Sequence, residues 1–276
     1  MSIAILVVLV AIGVAVVSYV TIAGVRVSDR DVAWIAHAVQ PPPPQAVVYS
    51  RYLQRHRRHR LAGGLFGTIF AVTMGIRWYG EVHIGIGEGN PLADILFCAM
   101  AGVLVGALSA ETFRLSEPAS STIAASLATR DDPSRRDLTK LARSITIMSL
   151  AIGGLVAATG NGTESLWVAA AGGLVAMVAE ATRSAISSRR RPVLSDQARA
   201  VDLRIRTFAN RSVAALQLAA ALLAIGWTVA KIPAGEPAAI GLLRFLFVLG
   251  CLFATAILLN TAAPRPSRTW TTDTLA

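Results

Sequence analysis

The chain has 276 residues, 54% of them hydrophobic and 15% charged, with a mean hydropathy of +0.57 and a net charge of +10. Soluble domains carry about 25% charged residues, so this composition excludes an ordinary soluble domain and points to a membrane protein. Of the 26 basic residues 24 are Arg, clustered between apolar runs. That is the pattern of inward-facing loops, not of a nucleic-acid surface.

Residues 3–24 run without a charge. At about 1.5 Å per residue the run reaches about 33 Å, enough for a hydrocarbon core of about 30 Å. Met1-Ser2-Ile3 lacks the positive leader of a signal peptide, and Arg26 and Arg30 follow the run, so an uncleaved first helix with its N-terminus outside is expected. Residues 25–60 hold seven Arg against Asp29 and Asp31. Ser28, three residues before Asp31, predicts a helix start, and Val32, Trp34, Ile35 and Val39 offer a short apolar face. Pro41 to Pro44 predict an extended polyproline spacer. A basic helix over 49–60 then leads into the second span, with Tyr49 and Tyr52 at interface level and His56 and His59 solvated among arginines.

The second span is expected over 61–80, with Arg77 near its far end and four residues before Glu81. The third covers 91–110, where Gly102 and Gly106 form a G-x-x-x-G that permits close helix approach. Residues 111–143 hold six basic residues, with a helix start at Asp132-Pro133 and Leu138, Leu141 and Ile145 at helical spacing. The fourth span, 143–160, is the shortest. It crosses only if this lead helix runs straight into it. The fifth covers 166–184. Residues 183–211 carry eight Arg against Asp196 and Asp202. There Leu194, Ala198, Val201, Ile205 and Phe208 fall on one helix face, which predicts an amphipathic helix on the inner membrane surface. Anionic lipid attracts such a segment at about 1 kcal/mol per basic residue. The sixth span covers 212–230 and contains Gln217. The seventh covers 238–259 and contains Arg244. Residues 261–276 are expected to be a disordered tail.

If residues 25–60, 111–143, 183–211 and the tail share one side, that side holds 23 of the 26 Lys and Arg. The expected fold class is therefore all-α. It is a polytopic transmembrane bundle of seven helices in a single domain over 1–260, N-terminus out and C-terminus in, with amphipathic inner-surface helices. After the first helix the chain reads as three hairpins. Leu96, Ala99, Gly102 and Leu104 of the third span correspond to Leu166, Ala169, Gly172 and Leu174 of the fifth. Glu111-Thr112-Phe113-Arg114 corresponds, one residue out of step, to Glu180-Ala181-Thr182-Arg183.

The candidate site residues are polar side chains in or beside spans: Glu111, Glu180, Arg244, Asp94, Arg77 and Gln217. Glu111 and Glu180 each end an inward span three residues before an Arg. Together at one mouth they can take protons or hold a cation; the simpler reading is a local Glu–Arg pair in each. Arg77, Asp94, Glu164, Glu236 and Arg244 lie near the outer boundary. They either converge on an anion or zwitterion site or stay separate snorkelling side chains. Arg244 is deepest in its span and has Asp94 as a candidate partner. Gln217 reads as an interhelical hydrogen bond. Cys98 and Cys251 lie in apolar runs as small buried residues. No H-E-x-x-H, G-x-S-x-G, Walker or C-x-x-C pattern occurs, so no catalytic residue, metal or cofactor is expected.

The near-absence of Lys, the basic lead over 51–60, Glu111-Thr112-Phe113-Arg114 ending a span, and the lead over 196–211 resemble uncharacterised multi-pass membrane proteins of high-GC actinobacteria. The resemblance implies a bacterial plasma membrane and supplies no activity. The expected function is a non-enzymatic membrane subunit or scaffold, with a small-solute transporter or channel as the alternative. The expected partners are the lipid bilayer, anionic headgroups at the inner basic segments, and a membrane-protein partner or a second copy of the chain.

Overall fold

Ser28 opens the first helix, α1 (Asp29–Ala36). Its hydroxyl accepts from the Asp31 N–H at 3.3 Å, and the Asp31 carboxylate accepts from the Ser28 N–H at 2.8 Å, which satisfies two backbone donors that the first turn leaves open. The structure, a computed structural model, describes residues 25–79, 91–111, 123–124, 133–160, 163–188, 191–192, 196–233, 237–267 and 269–271. The expected first span, 3–24, lies outside them.

The proline run is only half extended. Pro41 and Pro42 precede α2 (Pro43–Tyr79), and Pro43 and Pro44 take its first turn, where a missing N–H breaks no helical bond. At about 1.5 Å per residue α2 is about 55 Å long, well beyond a hydrocarbon core of about 30 Å. Then come α3 (Pro91–Ala110), β1 (Ile123–Ala124), α4 (Pro133–Ala158), α5 (Glu164–Ser188), β2 (Arg191–Pro192), α6 (Asp196–Ala230) and α7 (Ala238–Thr261). Apart from the two-residue antiparallel ladder of β1 and β2, all regular structure among the described residues is helical.

Among the described residues four helices are long and apolar enough to cross a membrane: Asp137–Ala158, Glu164–Ile186, Ala198–Ala230 and Ala238–Thr261. The condition on the fourth span is met, because α4 runs unbroken from its basic lead to Ala158. The apolar stretch of α3, Asp94–Ala110, is shorter.

The bundle is built around α6. Its most apolar stretch is 72% buried, against 17–22% in the other three long apolar helices, and it touches α3, α4, α5 and α7. Its Ala-rich sequence explains this, since small side chains let four neighbours close in. The other helices turn bulky apolar side chains outward, among them Trp167 and Met177 on α5 and Leu243 and Phe253 on α7.

From Asp196 on, the segment expected as a surface helix over 194–208 is the unbroken first part of α6, and Leu194 lies outside the described residues. Val201 and Ile205 are buried against Val32, Ile35, Tyr49, Tyr52 and Leu53, and Phe208 packs on the same cluster. The apolar face is real, but α1 and the start of α2 cover it. Protein contact removes that area from water as a lipid surface would. Tyr49 and Tyr52 are accordingly core residues here, not interface ones.

α2 and α3 meet through glycines. A Cβ on Gly102 would stand 2.1 Å from the Gly63 carbonyl oxygen, and one on Gly106 would stand 2.1 Å from that of His59. Gly63 and Gly67 of α2 meet α3 in the same way, at the carbonyls of Gly102 and Cys98. The G-x-x-x-G of α3 thus has a matching one on α2.

Part of the expected tail is placed, and residues 268 and 272–276 lie outside the described residues. Ala262 to Pro264 are buried. Arg60 donates to the carbonyls of Leu259 and Ala262, Arg57 to that of Pro264 at 3.1 Å, and Arg30 to that of Ser267 at 3.3 Å. Guanidinium groups on the open carbonyls of a helix C-terminus offset its negative dipole end, which holds the segment down.

Candidate functional site

Tyr49, Tyr52, Leu53 and His56 recur on one face of α2, and that face turns inward. Glu111 sits in the turn that ends α3, with its N–H on the Leu108 carbonyl at 3.2 Å. The glycine contact presses the two helices together, so the carboxylate meets the α2 face. His56 Nε2 lies 2.8 Å from Glu111 Oε1, and the Tyr52 hydroxyl donates to Oε2 at 3.1 Å. His56 is 0% exposed, Tyr52 1% and Glu111 2%. Phe208 of α6 closes the group, with ring centroids 6.2 Å from both Tyr52 and His56. Burial, then the Glu111 charge and its hydrogen bond, push the Tyr52 phenol well above its ordinary value of 10.0. His56 Nδ1 has no hydrogen-bond partner among the described residues.

The second carboxylate has different company. Glu180 Oε1 accepts from Arg143 of α4 at 2.6 Å and from Arg183 at 2.7 Å, and Oε2 accepts from Gln217 Nε2 of α6 at 2.9 Å. The local pair with Arg183 is present, and Arg143 and Gln217 join it into a three-helix junction. The Glu180 side chain is about a third exposed, and Gln217 Oε1 is buried with no hydrogen-bond partner among the described residues. The partner expected for Glu111, Arg114, lies outside the described residues. The two glutamates at matching positions of α3 and α5 are held by different chemistry, an imidazole and a phenol in one case and two guanidiniums and an amide in the other.

At the opposite end of α3, Asp94 accepts from Lys231 Nζ at 2.9 Å and from Trp227 Nε1 at 3.0 Å. Glu164 lies 4.0 Å from the same ammonium. Trp227 also stacks on Phe97, with centroids 5.3 Å apart. Arg244 does not reach Asp94. It donates to the carbonyls of Ile232 and Pro233, at the turn before its own helix, at 2.8 and 3.4 Å. Arg77 lies in α2, but its side chain and all of Glu236 are outside the described residues.

No family model, curated protein or solved structure matches this chain. Among the described residues no group of three His, Cys, Asp or Glu could hold a metal. The Tyr52–His56–Glu111 group is a hydrogen-bonded acid and base, able in principle to pass a proton, but it is closed on all sides. Its phenol and imidazole lie one turn apart on α2, and its carboxylate comes from the end of α3, 55 residues further on. The spacing of 49, 52, 53 and 56 is the signal that marks the α2 half of it.

Proposed function

We propose that this protein is a non-enzymatic membrane subunit or scaffold of the bacterial plasma membrane. One observation carries the reading: the charged residues that would line a transport path are engaged with other parts of the chain. Glu111 is enclosed by His56 and Tyr52, Glu180 ties three helices together, and Arg244 is spent on backbone carbonyls. Such interactions fix helix positions, which is what a scaffold needs. Both α2 and α6 outrun a bilayer of about 30 Å, so they extend a helical platform past it. That platform is the natural seat of a membrane-protein partner or a second copy, and its arginines favour anionic headgroups.

The test is extraction from the native membrane in mild detergent, followed by quantitation of co-purifying chains. A stoichiometric partner, lost when platform residues Val47 and Leu203 are both replaced by Asp, fits the scaffold reading; both are exposed in the structure. A lone monomer sinks it.

A small-solute transporter or channel is favoured by one feature, the partly exposed Glu180 beside Gln217 Oε1, which has no hydrogen-bond partner among the described residues. On that reading Glu111→Gln with Glu180→Gln abolishes uptake while the protein stays folded.

A further inference from the structure

A cavity of about 790 Å³ lies between α1, the middle of α2, α3, the end of α7 and the tail. Its walls divide into two zones. Arg30, Arg57, Arg60 and Arg265 line one zone, with Asp31 as the only carboxylate among the described lining residues. Leu61, Met100, Val103, Ala256 and Leu259 line the other.

The charge balance is the first clue. Arg57 pairs with Asp31 at 2.9 Å. Arg60 donates to the backbone carbonyls of Leu259 and Ala262, Arg30 donates among its contacts to those of Ser267 and Trp270, and Arg265 donates to the Asn260 side-chain carbonyl. Neutral carbonyls orient a guanidinium without cancelling its charge. Among the described lining residues Arg60 and Arg265 stand in addition to the Arg57–Asp31 pair, so the hollow is positive and is fixed in place by the backbone it grips. Planar guanidinium groups match phosphate oxygens in geometry.

The second clue is the apolar zone. A soluble anion gains nothing from Leu61, Met100, Val103 and Ala256. A phospholipid carries both parts, a phosphate for the arginines and an acyl chain for the helix surface. Basic pockets between helices, beside an apolar groove, suit such headgroups. We propose that this cavity binds one anionic phospholipid, phosphate among Arg30, Arg57, Arg60 and Arg265, with an acyl chain along α2, α3 and α7. The site rests on the chain being membrane-embedded and is independent of the scaffold reading.

The experiment uses the full chain in detergent. Thermal unfolding is followed by tryptophan fluorescence while phosphatidylglycerol, phosphatidylcholine with the same chains, or inorganic phosphate is titrated in. Phosphatidylglycerol is expected to raise the midpoint saturably and the other two are not. Arg265→Gln and, separately, Ala256→Trp should each weaken the apparent affinity at least fivefold. Ala256 is an exposed helix position, so that variant stays informative if Arg265→Gln fails to fold. Equal stabilisation by phosphatidylcholine, or unchanged affinity in either folded variant, would overturn the site. Inorganic phosphate matching the lipid would also overturn it, as a soluble-anion pocket. Retention in membranes after an alkaline carbonate wash checks the membrane placement separately.

Discussion

His56 Nε2 lies 2.8 Å from Glu111 Oε1, and neither side chain reaches solvent. The pair joins α2 to the end of α3 at the point where the glycine contact runs out. Breaking a buried pair by removing one partner costs about 3–5 kcal/mol, because the other charge or polar group is left uncompensated. His56→Leu should therefore destabilise the protein by several kcal/mol in denaturant unfolding from micelles. Adding Glu111→Leu should recover much of that loss. A double variant no more stable than His56→Leu alone would show that the two groups are not coupled.

Gly102 allows no side chain. A Cβ there would sit 2.1 Å from the Gly63 carbonyl oxygen, which belongs to a helix backbone and cannot swing away. Overpacking costs about 1–3 kcal/mol in ordinary cores, and Gly102→Ala is expected at or above the top of that range. Gly154 of α4 has nothing among the described residues within 4 Å of the corresponding position. Gly154→Ala should be neutral or stabilising by up to about 1 kcal/mol, from helix propensity. Equal midpoints for the two variants in a thermal scan would contradict the close contact.

The helices were readable because apolar runs and their basic leads have helical length and because Ser28 and Asp31 carry a cap signature. Gly102 and Gly106 announced a close helix approach. What misled was charge. His56 sits between Arg55 and Arg57, and a basic run ordinarily means solvated side chains. Yet Tyr49, Tyr52, Leu53 and His56 share one face while the arginines take the others, so the period was present under the charge. The face of Val201, Ile205 and Phe208 was equally visible. Its partner was not, because α1 and α2 lie some 150 residues earlier in the chain. Periodicity identifies a face that must be covered, and only tertiary structure says by what.

Gln217 ties α6 to Glu180 across 2.9 Å. Interhelical hydrogen bonds in membrane bundles average about 0.6 kcal/mol and reach about 1.7. Gln217→Leu should cost about 1 kcal/mol, since it also removes an oxygen that is buried with no hydrogen-bond partner among the described residues. Arg143 reaches the same carboxylate, but its side chain is 54% exposed. Surface ion pairs contribute about 0–1 kcal/mol, so Arg143→Gln should fall below Gln217→Leu. The reverse order in unfolding measurements would mean that the junction rests on charge, not on the buried amide.

Tyr52 gives a pH signature. Its phenol is raised well above 10.0, chiefly by burial and then by the neighbouring Glu111. A folded-state value above the unfolded one means that its stabilising contribution is complete below pH 10 and is lost as pH climbs through the folded value. In an alkaline titration of the ultraviolet phenolate band, wild type and Tyr52→Phe should coincide through the pH range near 10 where ordinary tyrosines ionise, and diverge only when the protein unfolds. Tyr52→Phe removes one donor to a carboxylate that keeps His56, so it should cost about 1–3 kcal/mol at neutral pH. It should also flatten the fall in stability at high pH, because the group whose ionisation drives that part of the fall is gone. A Tyr52 that titrates near 10 would mean that water reaches Glu111, and the closed group at the end of α3 would then be an open one.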